Sequence, residues 1–152
     1  MKLVFDENLP PALPAALALN EQSVTFAHTI DLVGPGASDE EIFRVLAADR
    51  KAVLVTLDIR QTRTPHVRKA LEDSGITVVY LVDGWADIAN LTRLELFVRW
   101  FPKIVEAMAS YERGAWFEVP KSRHLKPLKP MPQSRSRRRD KRKSSLLKDE
   151  QV

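Results

Sequence analysis

The sequence predicts an α/β protein: a three-layer α/β/α sandwich with a mostly parallel sheet, followed by a basic, largely disordered tail. Two observations predict the sandwich. Apolar stretches rich in β-branched residues alternate with amphipathic ones through residues 1–120, the pattern of successive strand–helix units. These stretches are apolar throughout rather than at every second position, as strands covered on both faces must be. A third observation predicts the tail, because the composition changes sharply after Pro120.

Residues 2–5 (KLVF) read as a buried strand running into Asp6-Glu7-Asn8, with Pro10-Pro11 barring any continuation. Residues 12–20 read as a helix with Pro14 near its start, where proline is tolerated. Residues 23–27 read as a strand and 34–38 (GPGAS) as a loop. A helix is expected over 39–49, with Ile42, Phe43 and Leu46 on one face and the capping-box pair Ser38 and Glu41 at its start. Residues 52–57 (AVLVTL) form the clearest strand. A helix over 64–75 ends at Gly75, and a strand follows over 76–82. Residues 87–111 read as a long helical stretch bent at Pro102, and 115–120 as a last short strand.

The 152 residues fit one domain over 1–120 and a tail over 121–152. The tail carries twelve Lys and Arg against three acids, and the body twelve against seventeen. The net charge of +4 thus hides an acidic body joined to a basic tail. With three prolines, five serines and few apolar side chains, the tail cannot offset its ordering entropy over roughly 129–152. There is no cysteine, which excludes disulfides and thiolate zinc sites. No apolar run is long enough to span a membrane, and no signal-peptide pattern opens the chain. A cytoplasmic protein is expected.

In an open parallel sheet, function gathers at the carboxyl ends of the strands, where strand order reverses. Asp6 directly follows the first strand and Asp58 the third. A strand order beginning 2-1-3 makes those strands neighbours and aims both carboxylates at one crevice. Asp39, at the start of the helix leading into the third strand, lies at the same edge. Crowded carboxylates repel unless a cation sits among them, and hard ions such as Mg²⁺ or Mn²⁺ take oxygen ligands. Such a cluster activates water for phosphoryl chemistry. Each acid also has a plainer reading: Asp6-Glu7-Asn8 as a turn, Asp39 as a favourable charge at a helix N-terminus, Asp58 as a turn residue.

The stretches LVFDENLP, SDEEIFRVLA and VLVTLDIR, continued through TRTPHVRKAL, VYLVDGW, RWFPKIVE and FEVP, resemble the PIN-like family. Within it they resemble the compact VapC-type branch of toxin ribonucleases. The resemblance covers about residues 1–120 and rests chiefly on D-E-N after the first strand and T-x-D at the end of the third. It implies an Mg²⁺- or Mn²⁺-dependent ribonuclease, with Asp6, Asp39 and Asp58 as catalytic, metal-holding acids. It further implies an RNA substrate, a cognate antitoxin protein and a possible homodimer. Larger relatives carry a fourth acid; Glu7, Glu41 and Asp83 are the candidates here, with Glu7 assigned to the metal. Arg60 stands where many relatives have a second aspartate.

Arg60 and Arg63 follow Asp58 closely and are candidate phosphate contacts, as are Arg137, Arg138 and Arg139 in the tail run RSRRRDKRK. Arg68 and Lys69 fit a solvated helix face better. His28, His66 and His124 lack ligand spacing, and Trp85, Trp100 and Trp116 read as core. Two other functions compete. A catalytically inactive PIN-like module would bind only RNA or a protein. A phosphorelay receiver would need a lysine after the fifth strand, for which Lys121 is the sole candidate.

Overall fold

A computed structural model describes residues 1–133. Five strands, β1 (Lys2–Phe5), β2 (Thr25–His28), β3 (Ala52–Thr56), β4 (Thr77–Val82) and β5 (Trp116–Pro120), form one sheet. Its order is β2-β1-β3-β4-β5, and every adjacent pair is parallel. The expected 2-1-3 order is therefore present, and β1 and β3 flank the switch point. Phe5 pairs with Val55 at the carboxyl ends of these two strands.

The helices are α1 (Ala12–Asn20), α2 (Thr29–Val33), α3 (Asp39–Ala47), α4 (Pro65–Ser74) and α5 (Asn90–Ser110). Leu13 and Leu17 of α1 and Leu96, Phe97, Trp100 and Ile104 of α5 pack against Leu3, Phe5, Val53, Val55, Val79 and Leu81 on one face of the sheet. Ile42, Phe43 and Leu46 of α3 and Val67 and Leu71 of α4 pack against Val4, Leu54, Val78 and Tyr80 on the other. Successive strand residues point to opposite faces, so the uniformly apolar strands supply both cores at once. The three-layer expectation holds. Among the described residues no helix is long and apolar enough to cross a membrane.

Ser38 caps α3 by accepting from the Glu41 N–H. Gly75 ends α4 at φ 69°, a conformation only glycine adopts without strain. β2 starts two residues later than expected, and α2 was not expected at all. Its five residues are too few for a helical period to show in the sequence. The buried His28 ring organises that corner: Nδ1 accepts from the Ile30 N–H, and Nε2 lies 2.8 Å from the Leu9 carbonyl. Pro102 sits inside α5.

The packed chain continues past Pro120. The Met131 N–H donates to the Trp116 carbonyl at 2.7 Å, Pro130 forms an antiparallel bridge with Phe117, and Leu128 is buried in the α1–α5 core. Residues 121–133, read from composition as the start of the tail, are held because β5 offers them an open strand edge and an apolar seat. Residues 134–152, with Arg137, Arg138 and Arg139, lie outside the described residues.

Candidate functional site

Asp6 is the first residue beyond β1. Its N–H donates to the Val55 carbonyl at 2.9 Å, carrying the ladder one step past the strand. Its carboxylate is buried. Oδ1 accepts from the Glu7 N–H and Oδ2 from the Thr56 hydroxyl, both at 2.7 Å. Thr56, fully buried at the end of β3, uses its whole hydrogen-bonding capacity here. It donates to Asp6 and accepts from Asn8 Nδ2 at 3.0 Å and from the Asp58 N–H at 3.1 Å. Asn8 closes the ring by accepting from the Leu57 N–H at 3.3 Å. One hydroxyl thus ties the end of β1 to the turn bearing Asp58.

Asp58 begins a short 3-10 turn over Ile59–Thr62, closed by the Gln61 N–H donating to the Asp58 carbonyl. The turn sends Arg60 outward and Gln61 inward. Arg60 Nε donates back to Asp58 Oδ1 at 3.1 Å, an exposed pair. Gln61 is buried and reaches across to α3, where Nε2 donates to Asp39 Oδ1 at 3.1 Å. The hydroxyl of Tyr80 on β4, also buried, donates to Gln61 Oε1 at 3.2 Å.

The three aspartates share one electrostatic field. Burial pushes the Asp39 carboxyl above its ordinary range. The Gln61 hydrogen bond pulls it back, and the charges of Asp58 and Asp6 raise it further. Burial first, then Asp58 and Asp39, pushes the Tyr80 hydroxyl far up, so it stays protonated. Hard oxygen donors around a buried edge fit a hard divalent cation in kind. In arrangement they are not yet gathered: among the described residues no group of three His, Cys, Asp or Glu stands close enough to hold a metal ion. Each carboxylate is held by a protein partner instead, Asp6 by Thr56, Asp58 by Arg60 and Asp39 by Gln61.

Glu7, expected beside Asp6 on a metal, faces elsewhere. Both of its oxygens accept from the Gly36 N–H, at 3.1 and 3.0 Å, which fastens the loop leading to α3. Arg63 is exposed on the rim. Arg68 is structural: it pairs with Glu72, donates to the Thr62 and Pro132 carbonyls and lies over the Trp116 ring. The three tryptophans are buried, and the indole N–H groups of Trp85 and Trp100 donate to the Val119 and Ser122 carbonyls. Sequence reasoning missed Asn8 as a ligand of Thr56, and missed Gln61 and Tyr80 altogether. Asn8 had a signal in the D-E-N triplet, whereas Gln61 sits in an ordinary polar run.

Residues 1–83 match the family described as PIN like domain, a stretch that runs from β1 through β4 and contains Asp6, Asp39 and Asp58. No curated protein matches the chain, and no solved structure does. PIN-like domains are commonly nucleases, and PIN-like nucleases generally use divalent metals.

Proposed function

This chain belongs to the PIN-like domain family, and from that premise we propose that it is a metal-dependent endoribonuclease. The observation that carries the reading is one buried hydroxyl at the β1/β3 switch point that holds both the Asp6 carboxylate and the Asp58 backbone, with the charges of both acids felt by Asp39 on α3. Asp6, Asp39 and Asp58 would hold an Mg²⁺ or Mn²⁺ ion. The bound ion would lower the pKa of a water for attack on an RNA phosphodiester and neutralise the charge that develops. Thr56 holds Asp6 and the backbone of Asp58 in place. Arg60, paired with Asp58 in the free protein, would turn with Arg63 toward the phosphate backbone when RNA arrives. Arg137, Arg138 and Arg139 add electrostatic attraction for RNA. The VapC-type resemblance extends the reading to a cytoplasmic toxin silenced by a cognate antitoxin, working alone or as a homodimer.

A second reading has its own support. The carboxylates are not gathered among the described residues, and Arg60 occupies Asp58. A PIN-like module that binds RNA or a protein without cutting fits those facts. The receiver reading needs a lysine after β5; Lys121 is there, but its side chain lies against Gly84.

The deciding experiment incubates purified protein with a mixed structured RNA pool in Mg²⁺, Mn²⁺ or EDTA, alongside Asp6→Asn and Asp58→Asn. Metal-dependent cutting that both substitutions abolish supports the nuclease. No cutting by the natural protein, together with no Mn²⁺ binding by calorimetry, sinks it and leaves the binding module.

A further inference from the structure

Asp6 and Asp58 are linked to each other through Thr56. Asp39 comes from a different layer, at the start of α3, and has no such link to them. Its carboxylate accepts instead from Gln61 Nε2 at 3.1 Å. That glutamine is carried by the same 3-10 turn that begins at Asp58, and its own N–H donates to the Asp58 carbonyl. One four-residue turn therefore sets the position of Asp58 at its start and grips Asp39 from its interior.

An amide can present either its oxygen or its NH₂ to a neighbour, and its contacts decide which. Here the Asp39 carboxylate, which can only accept, takes the NH₂, and Tyr80 braces the amide from its other end. The Tyr80 hydroxyl is buried in β4 and donates to Gln61 Oε1 at 3.2 Å. With the amide oxygen engaged, the NH₂ faces Asp39. A flipped amide would set an oxygen against a carboxylate. Gln61 and Tyr80 are 2 % and 0 % exposed, so water cannot readily replace either contact.

We infer that Gln61, braced by Tyr80, is a positioning residue that sets the Asp39 carboxylate relative to Asp58 and thereby the metal affinity of the site. The inference rests on the nuclease reading only in taking Asp39 and Asp58 to share a cation. Outer partners of metal-holding carboxylates commonly govern affinity by about 10- to 100-fold.

The test is Mn²⁺ calorimetry on the full chain, with the natural protein, Gln61→Met, Tyr80→Phe and Asp39→Asn, each checked for folding by circular dichroism. The expected result is Mn²⁺ binding weakened about 10-fold or more by Gln61→Met and about 3-fold by Tyr80→Phe, with Asp39→Asn weakest of all. In RNA cleavage, Gln61→Met should raise the Mn²⁺ concentration that gives half-maximal rate by a similar factor, a shift that simple loss of folded protein does not give. If Gln61→Met does not fold, Tyr80→Phe decides alone, since it removes one oxygen. Natural Mn²⁺ affinity in a folded Gln61→Met or in Tyr80→Phe, with affinity lost in Asp39→Asn, overturns the inference and leaves the acidic site standing. No Mn²⁺ binding by the natural protein overturns both.

Discussion

Asp39 and Asp49 stand at the two ends of α3, and their surroundings push them in opposite directions. Asp49, at the amino edge of the sheet, is held below its ordinary range by the Lys51 N–H on its carboxylate and then by the charges of Lys2 and Arg113. Arg113 also donates to the Leu46, Ala47 and Asp49 carbonyls, closing the C-terminus of α3. Asp39, at the carboxyl edge, is held above its ordinary range by burial and by two other aspartates. One edge meets Asp49 with two cations, and the other crowds three acids, two held by neutral donors and one by Arg60. Folding alone explains the first arrangement. The second costs stability, as clustered acids at functional sites commonly do. A cavity of about 550 Å³ opens at the amino edge, between Gly75, Gly114 and Met131.

The sharpest way to break this contrast is to remove the acids. Asp6→Asn and Asp58→Asn should each lower metal-dependent RNA cleavage on the order of 100-fold or more, read from initial rates on one RNA. Adding Mn²⁺ at 100 times its Kd should raise unfolding free energy by about 2.7 kcal/mol. Urea titration with and without the ion measures that gain, and it should shrink in Asp39→Asn. Thr56→Val keeps the shape of the side chain but strips Asp6 of its donor. It should cost about 2 kcal/mol in urea unfolding and also weaken Mn²⁺ binding.

At the opposite edge, Arg113→Ala should cost about 1 kcal/mol and leave RNA cleavage unchanged, since it only uncaps α3. The smallest effects are in pH dependence without metal. Asp39 titrates above its unfolded value of 3.8, so its contribution falls as pH rises from there through the folded value. Asp49 titrates below 3.8, so its contribution is present above that pH and is lost as pH falls through the folded value. Asp39→Asn and Asp49→Asn should therefore change the slope of stability against pH with opposite signs. Equal signs would undo the comparison.

Much of this architecture was readable in advance because burial on both faces leaves a strong mark. AVLVT in β3 and TVVYLV in β4 have no polar side chain beyond threonine and tyrosine, and the helices between them carry clean apolar faces. Asp6 and Asp58 were legible as acids ending such strands. The direction of Glu7 was not legible, because adjacency to Asp6 does not encode it: successive residues past a strand diverge, and Glu7 turns to Gly36. Gln61 was illegible because its role depends on a contact across 22 residues to Asp39, which no local spacing encodes.

The strip formed by Pro130 and Met131 along β5 has a practical consequence. It occupies hydrogen-bonding groups that a sheet edge otherwise offers to any passing chain. A protein shortened to end at Pro120 would uncover Trp116 and Phe117 together with that edge. It is expected to self-associate and lose colloidal stability at concentrations where a protein ending at Gln133 stays dispersed.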